Sequence, residues 1–169
     1  LLMSLVMLVS MLPTTAWAAE ENVTTTPTTV KVDFSFAKGN EFEVVPHTLT
    51  VAAGTAGSYG VGEPTTEPTV LDAVVAAHVE KYGDNFTPET AGEYVNDGLT
   101  TAFGYSGYAG HAINGAYSSV GAQEAEISNG DTVDVFFYED STWNDHYAFF
   151  TVNDAATHSA DAEVGTPFT

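Results

Sequence analysis

The sequence predicts an α+β domain in which one main helix crosses a small mixed sheet, with a loop-rich insert that carries a short second helix. Three observations predict it. Val30, Val32, Phe34 and Phe36 alternate with Lys31, Asp33 and Ser35, the period-two pattern of a half-buried strand. Leu71, Val74, Val75, His78 and Tyr82 recur at helical spacing behind Thr69. In residues 129–152, two aromatic-rich runs flank an acidic loop. Val133, Val135 and Phe137 share one face of the first run, and Phe136 and Tyr138 the other. That strand is therefore expected inside the sheet with cover on both sides, and the second run is expected to pair with it.

Along the chain, residues 1–12 form an apolar run of signal-peptide length, and Ala16-Trp17-Ala18 gives the small-x-small pattern that signal peptidase reads. Export is expected, with residues 1–18 as the signal and cleavage before Ala19. The run is too short to span a bilayer. It lacks a basic n-region and opens on Leu1, so a truncated N-terminus is expected. Residues 19–29 are acidic and then Thr-rich, which reads as a linker. The domain itself is placed at residues 30–154. Residues 155–169 are expected to be a linker and the start of a further domain, because residues 164–169 read as the opening of another strand.

Within the domain, Lys38-Gly39-Asn40 turns the first strand into a second, where Pro46 places a bulge or an edge. Residues 52–68 are rich in Gly, Thr and Pro and read as a long connection. Thr69 with Asp72 three positions on makes a short capping box, Lys81 suits the carbonyl end of the helix, and Gly83 ends it. Residues 83–110 give weaker signals. Thr87-Pro88-Glu89 resembles a helix start, with Ala91, Tyr94 and Val95 as its apolar face. Asn114-Gly115 between extended residues is a hairpin turn, and Ser128-Asn129-Gly130-Asp131 turns the chain into the aromatic run.

Composition limits the function. Removing the signal leaves about 150 residues, enough for one domain with a real core. There is no Cys, so disulfides and thiolate metal sites are excluded. Lys31, Lys38 and Lys81 stand against 23 acidic residues, for a formal charge of -20, which excludes nucleic acid and disfavours anionic lipid surfaces.

No catalytic constellation is evident. Ser106 lies in Gly-Tyr-Ser-Gly-Tyr, near a nucleophile elbow, but Tyr108 stands where the second glycine belongs. His47, His78, His111, His146 and His158 are scattered, without the spacing of a zinc site, and His78 falls on the buried helix stripe. Glu139, Asp140, Asn144 and Asp145 offer hard oxygen ligands for calcium in one loop, without the regular spacing of a calcium loop. A solvated hairpin loop explains them as well. Trp143 in that loop either packs back on the domain or, with Tyr105, Tyr108 and Tyr117, makes a stacking surface for a sugar or peptide. No cofactor is expected.

Thr69-Val70-Leu71-Asp72-Ala73, Ile113-Asn114-Gly115, and Asn129-Gly130-Asp131-Thr132-Val133 leading to Tyr138 occur in an order that resembles the transcobalamin-like C-terminal domain family. The resemblance runs over about residues 30–152. It implies a β-grasp-like domain on a bacterial cell-surface protein, related to the smaller domain of animal cobalamin carriers. Those carriers also use a larger helical domain that this sequence lacks, so no ligand-contacting residue is carried over. The expected function is a non-enzymatic module of an exported surface protein, for display or for binding an extracellular ligand. The alternatives are a glycan, peptide or corrinoid held by the aromatic loop surface, and a secreted hydrolase.

Overall fold

The computed structural model describes residues 26–83, 93–95, 98–139, 142, 147–152 and 154–158. Strands β1 (Thr29–Lys38) and β2 (Glu41–Ala52) form an antiparallel hairpin closed at Gly39, whose φ of 53° suits a residue without a side chain. The alternation in β1 does what period two requires, burying Val30, Val32, Phe34 and Phe36 on one face. Opposite them the ladder slips: Phe34 faces His47 while Phe36 faces Val44, so β2 carries one extra residue around Pro46. An edge strand tolerates that bulge because proline has no N–H to donate.

The connection that follows is not all loop. Thr55–Ser58 form a single helical turn, α1, because the Thr55 hydroxyl caps back onto the Ala52 carbonyl and the Ala56 N–H donates to Asp72. Helix α2 (Val70–Tyr82) starts in the expected capping box, with Thr69 and Asp72 bonding each other's backbone N–H, and ends at Gly83 with φ 53°. Its burial exceeds the expected stripe: Val70 through Val75, Ala77 and His78 are all buried. The reason lies downstream, where Ala122 and Ala125 turn their carbonyls onto the N–H groups of Leu71 and Val70 and so cover the far side of the first turn. His78 is a core histidine, its Nδ1 2.8 Å from the Val74 carbonyl and its Nε2 accepting the Phe103 N–H at 2.7 Å.

In the insert, β3 (Glu93–Val95), β4 (Gly98–Ala102) and β5 (Tyr105–Ser106) make a small antiparallel sheet. The short second helix expected from Thr87 is corrected in part, since Tyr94 and Val95 lie in β3, where an aromatic and a β-branched residue fit a ladder better than a helix face. Residues 84–92, including Ala91, lie outside the described residues.

The main sheet is completed by β6 (Ala109–Ile113), β7 (Ala116–Tyr117) and β8 (Thr132–Phe137), in the order β2-β1-β8-β6-β7. β1 and β8 run parallel and every other pair is antiparallel, so the sheet is mixed and the domain α+β. Its inner face carries Val32, Phe34, Phe36, Val133, Val135 and Phe137 in one core with α2, and Phe103 from the insert lies 4.5 Å ring to ring from Phe36. No helix among the described residues is long and apolar enough to cross a membrane.

The expected pairing of the two aromatic runs is overturned. Both edges of β8 are taken, one by β1 and one by β6. The second run instead folds over the outer face of the sheet, where β9 (Phe150–Val152) pairs with β10 (Ala155–Thr157). Residues 155–157 form β10, and His158 after it bonds to Asp134 of β8.

The β6–β7 turn carries Asn114 at φ 53° and Gly115 at φ 77°, both left-handed, as a two-residue hairpin demands. A Cβ on Gly115 would come within 2.5 Å of the Phe149 ring. Gly115→Ala should accordingly lower the unfolding free energy by about 1–2 kcal/mol in urea titrations, from backbone strain and the displaced ring together. An unchanged midpoint would refute that close contact.

Candidate functional site

Alternation along the strands sends Asp33, Ser35 and Ala37 of β1, and Thr132, Asp134 and Phe136 of β8, to the outer face. Register places Ser35 beside Asp134 and Ala37 beside Phe136. Over this face lie residues 147–150 and the end of β10, and between the two layers is a cavity of about 550 Å³.

Asp134 is the centre of its floor. Its Oδ1 accepts the Ser35 hydroxyl at 2.5 Å and His158 Nε2 at 2.5 Å, and its Oδ2 accepts the Tyr147 hydroxyl at 2.5 Å. The other ring nitrogen of His158 lies 2.9 Å from Asp33 Oδ2. Burial raises the Asp134 pKa, but the hydrogen bonds from His158, Ser35 and Tyr147 outweigh it and hold the carboxyl below the usual range. For His158 burial acts downward, and the two carboxylates raise the pKa above the ordinary imidazole value despite it. The Tyr147 hydroxyl is pushed up, first by burial and then by Asp134, so it remains a donor.

Aromatic rings wall the cavity. Tyr147 stacks on Phe136 at 5.1 Å and 13°, and Phe149 stacks on Tyr147 at 5.6 Å and 23°. Phe42 and Phe150, 57% and 64% exposed, stand at the mouth with Glu41 and Asn40. Such exposure of two phenylalanines beside one opening makes an apolar rim.

The grouping contains Ser, His and Asp but not a hydrolase relay. In that relay the imidazole lies between the acid and the serine. Here Ser35 and His158 both bond to Asp134, so the imidazole does not stand between the acid and the serine. Ser106 meets the Thr101 hydroxyl at 3.2 Å, and among the described residues no imidazole or carboxyl bonds to it.

Of the residues expected to share a stacking surface, Tyr105 and Tyr117 lie on opposite faces of the sheet. Tyr105 stacks against Phe36 on the inner side at 6.3 Å, under Lys38, and its hydroxyl donates to Glu43. That Glu43 is held low mainly by its bond with Lys81. Tyr117 lies on the opposite face of the sheet, 6.2 Å from Phe136, and Tyr108 is half exposed between β5 and β6. Trp143, Asp140, Asn144 and Asp145 lie outside the described residues, and no group of His, Asp or Glu among the described residues is arranged to hold a metal ion. Of that calcium candidate set Glu139 alone is described, and it fills the space over Gly39.

Asp33, Ser35, Asp134 and Tyr147 do not stand out in the sequence as site residues, and His158 enters there only as one of five scattered histidines. One signal was present: Asp134 stands between Val133 and Val135 in a strand expected to be covered on both faces, where a carboxyl requires partners.

No protein-family model matches the chain, and no curated protein matches it in sequence. Four chains of solved structures match its fold. One is haptocorrin in complex with Cbi, at 18% identity and a TM-score of 0.42, over 66% of this chain and 25% of that one. The chain thus spans about a quarter of haptocorrin's length, and the likeness is distant.

Proposed function

We propose that this chain is a non-enzymatic, ligand-binding module of an exported bacterial surface protein, and that its ligand occupies the cavity on the outer face of the sheet. One observation carries the reading: a cavity of about 550 Å³ with aromatic walls and a few polar groups converging on its floor. Small-molecule sites have that size and makeup, apolar walls with a small number of fixed polar groups. Catalysis asks for a nucleophile or base free to move a proton. The Ser35 and Tyr147 hydroxyls and His158 Nε2 are instead all bonded to the Asp134 carboxylate, an arrangement suited to holding a shape.

Two parallel strands at the centre of the sheet, a hairpin partner at its edge and a helix across one face support the β-grasp-like assignment, and with it membership of the transcobalamin-like family. Export rests on residues 1–18 and predicts a mature protein beginning at Ala19 in the cell envelope. N-terminal sequencing that finds residues 1–18 retained would remove that part.

For binding, the purified chain titrated with the neutral fluorophore N-phenyl-1-naphthylamine should show one saturable site. Ala37 lines the cavity, so Ala37→Trp should fill it and abolish the signal while leaving the circular dichroism spectrum intact. Saturation that is the same in Ala37→Trp would place the ligand elsewhere.

A further inference from the structure

We propose that the cavity selects planar organic cations, the flat body lying against the aromatic walls and the positive charge at the rim beside Glu41. The proposal rests on the cavity being the ligand site. Shape supplies the first argument. The Phe136, Tyr147 and Phe149 rings succeed one another at 5.1 and 5.6 Å with tilts of 13° and 23°, an offset stack of near-parallel ring planes along the cavity. Phe42, Phe150 and Pro46 complete the lining toward solvent. A planar body can extend such a stack, and a cation near an uncovered ring face gains from its negative quadrupole.

Charge supplies the second. The ionisable groups with acid or imidazole chemistry among the lining residues are Glu41, Asp134 and His158, and neither Lys nor Arg is among them. His158 stands between the Asp33 and Asp134 carboxylates, so a bound anion would meet two acidic groups beside it. The lysines lie elsewhere: Lys81 pairs with Glu43 and Lys38 sits 4.4 Å over the Tyr105 ring, while Lys31, although on the same face of β1, does not line the cavity. A chain of formal charge -20 raises the local concentration of cations at such a mouth and repels anions.

Competing expectations separate in one calorimetric titration series on the purified chain. The probes are thioflavin T as the planar cation, N-phenyl-1-naphthylamine as the neutral molecule, and 1-anilinonaphthalene-8-sulfonate as the anion. Thioflavin T should bind at least about ten-fold more tightly than the sulfonate at low salt, and the gap should narrow in about 1 M salt, where screening acts within about 3 Å. Glu41→Gln should weaken thioflavin T about five-fold, the upper range for a solvent-facing ion pair, and leave the neutral probe unchanged. If the neutral probe saturates but the sulfonate binds as well as the cation, or Glu41→Gln has no effect on the cation, charge selection is refuted and the cavity stands. If no probe saturates, the cavity itself is refuted as a ligand site, and this proposal with it.

Discussion

Asp72→Ala is expected to lower the unfolding free energy by about 4 kcal/mol, the largest loss from a single side chain outside the apolar core. Asp72 is fully buried at the start of α2. Its Oδ1 accepts the Ala56 N–H at 2.7 Å, and its Oδ2 accepts the Thr65 hydroxyl at 2.9 Å and the Thr69 N–H at 3.1 Å. One carboxyl group thereby joins α1, the loop after it and the N-terminus of α2. Truncation leaves buried donors from three segments without acceptors, and each orphan costs about 1–3 kcal/mol before partial relaxation. Asp72→Asn keeps one carbonyl oxygen and should lose about half as much. Urea titrations monitored by circular dichroism measure both, and a loss under about 1 kcal/mol for Asp72→Ala would show that the connection carries no stability.

Asp134→Ala should cost about 3–4 kcal/mol near pH 6, because it strands His158 beside Asp33 and removes the acceptor of Ser35 and Tyr147. The same cluster sets a pH profile. The Asp134 pKa is depressed, so its stabilisation is present above the unfolded value of about 3.9 and is lost as pH falls through the folded value. The His158 pKa is raised, so its stabilisation is full below the unfolded value of about 6.5 and is lost as pH rises through the folded value. Both contributions are complete only between about pH 4 and 6.5, and stability should decline on either side. His158→Gln should flatten the alkaline limb and leave a shallower acid limb. Parallel profiles for the wild type and His158→Gln from about pH 5.5 to 9 would show that the imidazole is not held by the two carboxylates.

Elements defined by neighbours in the chain were legible in the sequence, and elements defined by distant partners were not. Helix α2 announced itself through Thr69, Asp72, Gly83 and a 3.6-residue period, all local chemistry. The turns at Gly39 and at Asn114-Gly115 required left-handed residues and had them. The residues of β8 read as a strand covered on both faces, but nothing local in them says which strands flank it. Residues 147–152 have strand composition and lie close in sequence, yet β1 and β6 fill both edges of β8 and leave the second run to stack by its rings. The candidate site was illegible for a related reason. Asp33 and Ser35 look like the solvated side of a half-buried strand until the chain returns with Tyr147 and His158 to cover them. Tyr105 and Tyr117, expected on one surface, attach to opposite faces of one sheet, a separation that only the strand order reveals.

The parallel contact between β1 and β8 also governs when this domain can form. Ser35 and Asp134 meet across 99 positions, and the hairpin, α2 and the insert all lie between them. Closing so long a loop precedes the reward of its contacts, which makes non-local pairing the slow step of folding. During synthesis β1 can gain its hairpin partner early, but its other edge stays unpaired until β8 has been made. The emerging chain therefore holds its central apolar strand half-matched for most of its length. It is open to aggregation or to a chaperone throughout that interval, and becomes a domain only once β8 has been made.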